Sequence, residues 1–351
     1  MALNVKLNRT DRRIWDELDS FVPREIIDVH TPLYLWEFNS APDKDKAPEA
    51  GKTWPAKPFR EDFPIADWGQ SDKIDQILMP GRKVHRISFG MPFAMVDFEA
   101  TNQFIADQVV NDSESHALML INPKMTADYL EKQVTQNKFI GFKPYRLYSV
   151  TGDVDNCRIT DFIAEHQIEV AHRLGLIIMM HVSKRNAIAD QDNIDDMKRL
   201  SETYPNAKWI LAHCGRSYSS WAIEKGGKVM RDLPNVWFDT SAVTETDAID
   251  ALLSTVGSDK VMYGSDDIPF GVMRGKLIAF GYSWALLTED NHSFALSHCD
   301  GKLTFIRYEE LRAIHRAVKR YGESDKVCQD LFYNNAKKLI DSVSSNVTST
   351  L

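Results

Sequence analysis

The segment Leu176-Ile177-Ile178-Met179-Met180-His181 is a short apolar run that ends on a histidine. Two other apolar runs end in the same way, on His30 and on His213, and a fourth run leads into Asp266. Short continuous apolar runs are typical of strands that are buried on both faces of a parallel sheet. When such strands form a barrel, catalytic groups lie where the strands end. The pattern therefore predicts that three imidazoles and one carboxylate meet at one end of a barrel.

Strand-like and helix-like segments alternate along the chain. The predicted strands are residues 25–30, 84–89, 117–121, 139–143, 176–181, 208–213, 236–239 and 260–264. Strands that alternate with helices indicate a parallel sheet covered by helices, and eight such units favour a closed barrel. No glycine-rich phosphate-binding motif follows the early strands, which argues against a doubly wound nucleotide-binding sheet. The predicted fold class is α/β, a (β/α)8 TIM barrel.

The chain has 351 residues, a length that one large barrel domain can account for. We therefore expect a single domain over residues 1–351. Two long segments interrupt the alternation of strands and helices: residues 31–83 and residues 267–303. Irregular segments of this length are usually functional or disordered. We expect both to be insertions, after strands 1 and 8, that lie over the barrel mouth.

Composition narrows the classes of partner and compartment. The net charge of -8, with no basic stripe, argues against nucleic acid, and no apolar run reaches the ~20 residues that span a bilayer. The four cysteines are far apart and form no CxxC pair, which indicates free thiols in a reducing compartment. The first residues contain no apolar signal segment. We expect a cytoplasmic protein that acts on a small-molecule substrate, with a homodimer as the default oligomer.

The four side chains at the strand ends suit metal chemistry. Three imidazoles and a carboxylate form a donor set for a divalent metal such as zinc. In Tyr263-Gly264-Ser265-Asp266-Asp267 either aspartate can be a turn residue, because Gly-Ser-Asp sequences favour turns. We favour Asp266 as the carboxylate that contacts the metal and accepts a proton from water. The sequence does not fully separate it from Asp267.

Four basic residues are candidates for binding an anionic group of the substrate. Lys143 ends the fourth predicted strand and would face the same mouth as the histidines. Arg146, Arg216 and Arg274 lie in the segments that follow predicted strands. Each of the three arginines is equally consistent with a solvated loop charge.

Together these motifs resemble the amidohydrolase superfamily, specifically the amidohydrolase 2 branch of metal-dependent hydrolases with a TIM-barrel fold. The resemblance runs from about residue 24 to residue 342. It rests on the motifs Ile27-Asp28-Val29-His30, Gly141-Phe142-Lys143, Met180-His181-Val182-Ser183, Leu211-Ala212-His213-Cys214-Gly215, Tyr263-Gly264-Ser265-Asp266 and the ending Phe332-Tyr333-Asn334-Asn335-Ala336-Lys337-Lys338-Leu339. It implies one divalent metal ion, commonly zinc, with manganese and iron as alternatives.

The resemblance also implies a role for each site residue. His30 and His181 would be metal ligands, and Asp266 would be both a ligand and the general base. His213 would contact the metal or polarise the substrate. Apart from the resemblance, the position of Lys143 at the end of a predicted strand suggests that it would hold an anionic group of the substrate. The implied reaction is hydrolysis of an ester, lactone or amide bond of a small anionic substrate by metal-activated water.

One position departs from the pattern of the branch. Its members begin Asp-x-His-x-His, and here Pro32 stands at the second histidine. Asp28 or Glu37 would then replace the missing ligand, or the metal would be weakly held or absent. Two alternatives to the hydrolase stay open. One is a non-oxidative decarboxylase or hydratase of a small carboxylic acid, and the other is a metal-free barrel that only binds a ligand.

Overall fold

The computed structural model describes residues 5–41, 58–289, 291, 298 and 302–350. The strands are β1 (Glu25–Leu35), β2 (Ile65–Ala66), β3 (Lys83–Gly90), β4 (His116–Ile121), β5 (Gly141–Pro144), β6 (Ile177–Met180), β7 (Lys208–Leu211), β8 (Val236–Asp239), β9 (Val261–Met262), β10 (Gly275–Phe280) and β11 (Ser283–Thr288). The helices are α1 (Arg9–Leu18), α2 (Trp68–Leu78), α3 (Phe98–Val109), α4 (Ala127–Asn137), α5 (Ile159–Phe162), α6 (Glu165–Leu174), α7 (Gln191–Thr203), α8 (Ala212–Arg216), α9 (Ser220–Asp232), α10 (Thr246–Val256), α11 (Ile306–Tyr321), α12 (Ser324–Gln329) and α13 (Asn335–Thr350).

The main sheet runs in the order β2-β1-β3-β4-β5-β6-β7-β8-β9. Strand β1 and strands β3 to β9 pair in parallel, and the short β2 pairs antiparallel with the end of β1. The sheet curls until its first and last parallel strands meet, because the Val29 N–H donates to the carbonyl of Tyr263 over 3.0 Å. The predicted α/β TIM barrel is confirmed.

The strands carry continuous apolar runs because both of their faces are buried. In β6, all residues from Ile177 to Met180 are 0% exposed. The covering helices bury one side each, as in α10, where Ile249, Leu252 and Leu253 are fully buried. Such two-sided burial is the usual environment of parallel strands. It leaves the ends of the strands as the place where polar side chains can meet.

The two segments predicted as insertions contain more regular structure than the sequence suggests. Strand β1 continues through Leu35, and α2 occupies much of the second half of residues 31–83. The hairpin formed by β10 and β11 occupies part of residues 267–303. Residues 42–57, 290, 292–297 and 299–301 lie outside the described residues. The position of the two insertions relative to the barrel mouth therefore stays a prediction.

The cysteines agree with the expectation of free thiols where the structure describes them. Cys157, Cys214 and Cys328 are buried and unpaired, and Cys299 lies outside the described residues. In the described part of the chain, none of the helices has both the length and the apolar character needed to cross a bilayer.

Candidate functional site

Three histidines converge in the barrel. His181 and His213 follow β6 and β7, whereas His30 lies inside β1, which continues to Leu35 instead of ending at residue 30 as predicted. His30, His181 and His213 each offer a ring nitrogen, and these nitrogens all lie within 4.8 Å of one another. His30 and His213 are almost fully buried, whereas His181 is partly accessible. Among the described residues, no other group of three histidines, cysteines or carboxylates converges in this way. The structure thus brings together the three imidazoles that the strand ends predicted.

The spacing of the imidazoles fits a divalent cation. The Nε2 atoms of His181 and His213 are 3.0 Å apart. Two nitrogens bound to one tetrahedral zinc at ~2.0–2.1 Å would lie about 3.3 Å apart. The Nε2 atom of His30 is buried, and no described residue is its hydrogen-bond partner. An unsatisfied ring nitrogen beside two others is the donor chemistry that a zinc-like ion requires.

The partners of the other ring nitrogens define the tautomers. His213 Nδ1 lies 2.9 Å from the carbonyl oxygen of Ser241, which can only accept, so we infer that Nδ1 carries the hydrogen. His30 Nδ1 lies 2.9 Å from Oδ2 of Asp239, which gives the same assignment. Burial lowers the pKa of His30 to about 3 and that of His213 to about 4. Both rings are therefore neutral, with the Nε2 lone pair available to the cluster.

Asp266 lies next to His30 rather than inside the imidazole cluster. Its Oδ1 is 3.6 Å from His30 Nε2, and its side chain is 21% exposed. Burial raises the pKa of Asp266 to about 8. Asp267 instead pairs with the buried guanidinium of Arg307, which also binds Asp75. The structure thereby separates the two aspartates, because only Asp266 faces a histidine of the cluster.

Lys143 is the penultimate residue of β5 and is 0% exposed. Its Nζ lies 4.2 Å from the centre of the Phe89 ring and 5.2 Å from that of Tyr145. The ammonium group has no hydrogen-bond partner among the residues that the structure describes. Burial lowers the pKa of Lys143 to about 7, and the charges of Asp239 and Asp266 oppose that fall. A buried cation with free donors is well suited to meet an anionic group of a ligand.

Two of the predicted arginines lie near the imidazoles. Arg146 donates to Asp155 over 2.7 Å, and Arg216 donates to the carbonyl of Lys184 over 2.8 Å. Burial, with a smaller contribution from Arg146, lowers the pKa of Arg216. In the described part of the chain Arg216 forms no ion pair with a carboxylate, so its remaining donors are free for another anion.

Arg274 has a different environment from the other two arginines, which corrects the expectation that it binds substrate. Its guanidinium donates to both carboxylate oxygens of Asp11, over 3.0 and 2.7 Å. It also donates to the carbonyls of Lys6 and Leu303 and lies over the Phe305 ring. These contacts use most of its donors to fasten α1 to the chain that precedes α11. The side chain is structural because a substrate would have to compete with the buried carboxylate.

Neither of the proposed replacements for the missing histidine joins the cluster. Asp28 is buried, and its Oδ1 accepts from the backbone N–H groups of His30, over 3.1 Å, and Ser265, over 2.9 Å. It therefore fastens β1 to the segment after β9. Glu37 is exposed on the short helical turn after β1. The third imidazole of the cluster comes instead from His213, which follows β7.

The backbone at His213 adopts an unusual conformation. Residues 213–216 have φ values of 57°, 54°, 69° and 55°, which define a left-handed turn. L-residues other than glycine are strained in this region, and such strain concentrates at functional sites. At Gly215 a Cβ atom would lie 2.3 Å from Cγ2 of Ile188, so only glycine fits there. The His213 N–H donates to Asp239 Oδ1 over 2.8 Å and fixes the start of the turn.

Three site residues were missed by the sequence reasoning. Asp239 ends the seventh barrel strand, β8, so the strand-end rule that selected the histidines would have found it. Tyr145 packs against His181 with 5.0 Å between ring centres, and Tyr218 stacks on His213 at 6.0 Å. No motif marks these tyrosines, since loop residues reach the site only through the folded backbone.

Comparisons with known proteins agree with this architecture. The family model described as amidohydrolase matches residues 27–341. A sequence comparison with curated proteins gives no significant match. Among solved structures, a putative 2-pyrone-4,6-dicarboxylic acid hydrolase from Pseudomonas putida is similar at 14% identity with a TM-score of 0.55, over 92% of this chain and 99% of that chain.

Two decarboxylases have a similar fold. The 5-carboxyvanillate decarboxylase from Sphingomonas paucimobilis is 14% identical with a TM-score of 0.58, over 91% of this chain and 99% of that chain. The 2,6-dihydroxybenzoate decarboxylase from Rhizobium is 12% identical with a TM-score of 0.51, over 91% of this chain and 99% of that chain. At these identities the structures establish a shared fold. Because the family model matches far more than half of the sequence, the chain belongs to the amidohydrolase family.

Proposed function

We propose that this protein is a metal-dependent hydrolase that cleaves an ester, lactone or amide bond of a small anionic substrate. The observation that carries the proposal is the convergence of His30, His181 and His213, with ring nitrogens within 4.8 Å of one another. Asp266 lies beside them, 3.6 Å from His30 Nε2. A neutral imidazole cluster next to a carboxylate is typical of hydrolytic metal sites.

His30 and His181 would hold the ion, with Asp266 as the carboxylate ligand. Imidazole donors favour zinc, and manganese or iron are the alternatives for a site that also offers a carboxylate. When bound, such an ion supplies Lewis acidity and makes a neighbouring water more acidic. We assign His213 to the ligand set as well. Its Nε2 atom carries a lone pair and no hydrogen, so it can bind a metal but cannot donate a hydrogen bond to a substrate carbonyl oxygen.

Asp266 would move the proton during hydrolysis. Its carboxylate would accept a proton from the attacking water and deliver it to the leaving oxygen or nitrogen. The pKa of about 8 describes the site without a cation. A cation held by the imidazoles lowers the pKa of a neighbouring carboxylate, so Asp266 would be ionised and able to act as the base.

Lys143 and Arg216 would bind the anionic part of the substrate, with Arg146 at the outer side. The free donors of Lys143 and Arg216 favour this role, because neither has a carboxylate partner within the described ranges. Tyr145 and Tyr218 add apolar ring surface beside the histidines. Cations and rings together favour a flat substrate that carries a carboxylate, as in the substrates named for the similar structures.

The test measures metal content and turnover in the same preparations. Purified protein is expected to hold about one equivalent of zinc, manganese or iron, and His181→Ala is expected to lose it. Cyclic diacid lactones and aryl esters are then incubated in water labelled with oxygen-18. Hydrolysis places one labelled oxygen in the acid product. The Asp266→Asn substitution should abolish hydrolysis while the protein stays folded. Turnover that survives in Asp266→Asn would refute the assigned base.

A non-oxidative decarboxylase is the second candidate, because two of the similar structures are decarboxylases. A protonated carboxylic acid can give its proton to the carbon that loses carbon dioxide. The same trials with hydroxybenzoate and carboxyvanillate substrates in deuterated water distinguish the two reactions. A decarboxylase releases carbon dioxide and places one deuterium on the product carbon, with no oxygen incorporated. Buried Lys143 beside Asp266 favours either enzyme over a barrel that only binds ligand.

A further inference from the structure

Asp239 stands at the end of β8, is 0% exposed and uses both of its carboxylate oxygens. Oδ2 lies 2.9 Å from Nδ1 of His30. Oδ1 accepts from the His213 N–H over 2.8 Å, from the Ser241 N–H over 3.1 Å and from the Ser241 hydroxyl. One carboxylate therefore contacts two of the three residues that form the imidazole cluster. The proposed reaction gives Asp239 no role.

We propose that Asp239 is the positioning residue that holds His30 and His213 in the arrangement that binds a divalent cation. The proposal rests in part on the proposed function, since the cation belongs to that site. Asp239 acts through the two histidines and contacts neither substrate nor the ion. It does so in two ways, one on the side chain of His30 and the other on the backbone of His213.

The first action fixes the tautomer of His30. A carboxylate can only accept, so the Nδ1 atom that faces it carries the hydrogen and Nε2 keeps its lone pair. The ring is also held from the side, because Phe89 packs edge-on against it at 4.9 Å between centres. A carboxylate behind a metal-binding imidazole both orients the ring and makes it a stronger ligand. Asp239 thereby turns the buried Nε2 of His30 toward the cluster.

The second action fixes the backbone from which the His213 ring projects. The left-handed turn of residues 213–216 begins at the N–H that Asp239 Oδ1 accepts. The same oxygen accepts from Ser241, whose carbonyl receives the His213 Nδ1 hydrogen. A strained turn persists only when its surroundings hold it. Asp239 and Ser241 together hold both the turn and the ring, so that Nε2 of His213 lies 3.0 Å from Nε2 of His181.

These contacts require a carboxylate and exclude the amide of the same size. Each hydrogen-bond partner of Asp239 named above is a donor: the His30 ring, the His213 N–H, and the N–H and hydroxyl of Ser241. Asparagine offers one accepting oxygen and one donating nitrogen. In Asp239→Asn the amide nitrogen would therefore face a donor. Either the His213 N–H loses its partner, or His30 shifts its hydrogen to Nε2 and loses the lone pair that the cluster needs.

The experiment compares Asp239→Asn with wild-type protein after treatment with a chelator. Co²⁺ affinity is measured by calorimetry, and long-range proton–nitrogen NMR of histidine-labelled protein reports the tautomer of His30 without any metal. We expect His30 to carry its hydrogen on Nδ1 in the wild type. In Asp239→Asn we expect Co²⁺ binding to weaken by about 10–100-fold. We also expect a changed tautomer signal of His30 or a displaced His213 signal.

Two variants serve as controls. Asp196→Asn removes the charge of another buried aspartate, which lies in α7 and pairs with Arg158. It should leave Co²⁺ binding and both histidine signals unchanged. Ser241→Ala gives a graded comparison: it removes the hydroxyl donor to Asp239 but keeps the backbone N–H and carbonyl that contact Asp239 and His213, so it should weaken Co²⁺ binding less than Asp239→Asn does. Thermal unfolding confirms that each variant folds.

The outcomes separate this inference from the proposed function. If wild-type protein binds no Co²⁺ but His30 carries its hydrogen on Nδ1 and loses that state in Asp239→Asn, the positioning role stands and the metal-dependent reaction fails. If wild-type His30 carries its hydrogen on Nε2, the inference is overturned, whether or not the variant folds. Unchanged Co²⁺ affinity together with unchanged histidine signals in Asp239→Asn also overturns it.

Discussion

The Nζ atom of Lys143 lies 4.2 Å from the centre of the Phe89 ring, and both residues are fully buried. The face of an aromatic ring attracts a cation, but it replaces only part of the hydration that an ammonium group loses on burial. Burial accordingly lowers the pKa of Lys143 to about 7. A buried ammonium group without a hydrogen-bond partner among the described residues destabilises the fold, and this relationship leads to the first prediction.

Lys143→Met is expected to stabilise the chelator-treated protein by about 1–4 kcal/mol at neutral pH. The reason is that methionine has a volume similar to that of lysine but carries no charge that must be buried. Urea unfolding measures the change. Lys83→Met, at a lysine that is 64% exposed, is the control and should change the free energy of unfolding by less than about 0.5 kcal/mol. A strongly destabilised Lys143→Met protein would contradict this account of the site.

The pH dependence of that difference follows from the pKa of Lys143. The side chain has a pKa of 10.5 when unfolded and about 7 when folded. Between these values the unfolded chain binds more protons than the folded one, so the stability of the wild type rises with pH across this window. The free-energy cost of burying the charged Lys143 is fully present below about pH 7. The advantage of Lys143→Met should therefore shrink steadily from about pH 7 to about 10.5, and a constant advantage would argue against a titrating Lys143.

Arg216→Gln is expected to raise the KM for an anionic substrate by about 10-fold or more, with a smaller effect on kcat, because it removes a charge-assisted hydrogen bond to the bound substrate. Arg274→Gln is the matched control. Its guanidinium is bound to Asp11, so this change should lower thermal stability and leave KM unaltered. Steady-state kinetics on both variants measures the contrast. Equal KM changes in the two would contradict the assignment of Arg216.

Asp267→Asn is expected to destabilise the protein by about 3–5 kcal/mol, because it leaves the buried Arg307 without one of its carboxylates. Arg307 also binds Asp75, which in turn binds the buried Arg86, so the loss propagates through a network. Denaturant unfolding measures the change. Asp247→Asn, in the exposed pair with Arg320, should cost less than about 1 kcal/mol. A comparable loss in both variants would show that burial does not determine the strength of these pairs.

Gly264→Ala is expected to weaken metal binding and to lower stability. A Cβ atom at Gly264 would lie 2.6 Å from the Cβ atom of His30, so the histidine would have to move away from the cluster. Gly69→Ala is the control, since the nearest atom to its Cβ is a side-chain oxygen at 3.6 Å and alanine favours the helix. Co²⁺ titration and thermal unfolding test both. Undisturbed binding in Gly264→Ala would mean that His30 is not held where the structure places it.

The sequence by itself determined the barrel and the three histidines. Both can be predicted because the information is local: an apolar run of strand length ends on a polar residue, and parallel strands place such ends at one rim. His181 and His213 follow from that rule, whereas His30 lies inside β1, which continues to Leu35, and Lys143 precedes the last residue of β5. Asp239, at the end of the seventh barrel strand, carries the same signal.

Only the tertiary structure decided which polar partners meet. Asp266 and Asp267 are adjacent in the sequence, yet one faces His30 and the other binds Arg307. Arg274 follows the eighth strand as expected but is bound by Asp11, which lies in the first helix. Such pairings join residues far apart in the chain, and their geometry depends on the closed barrel and the packed helices. Strand patterns therefore place a residue at the rim, whereas long-range packing determines what it contacts there.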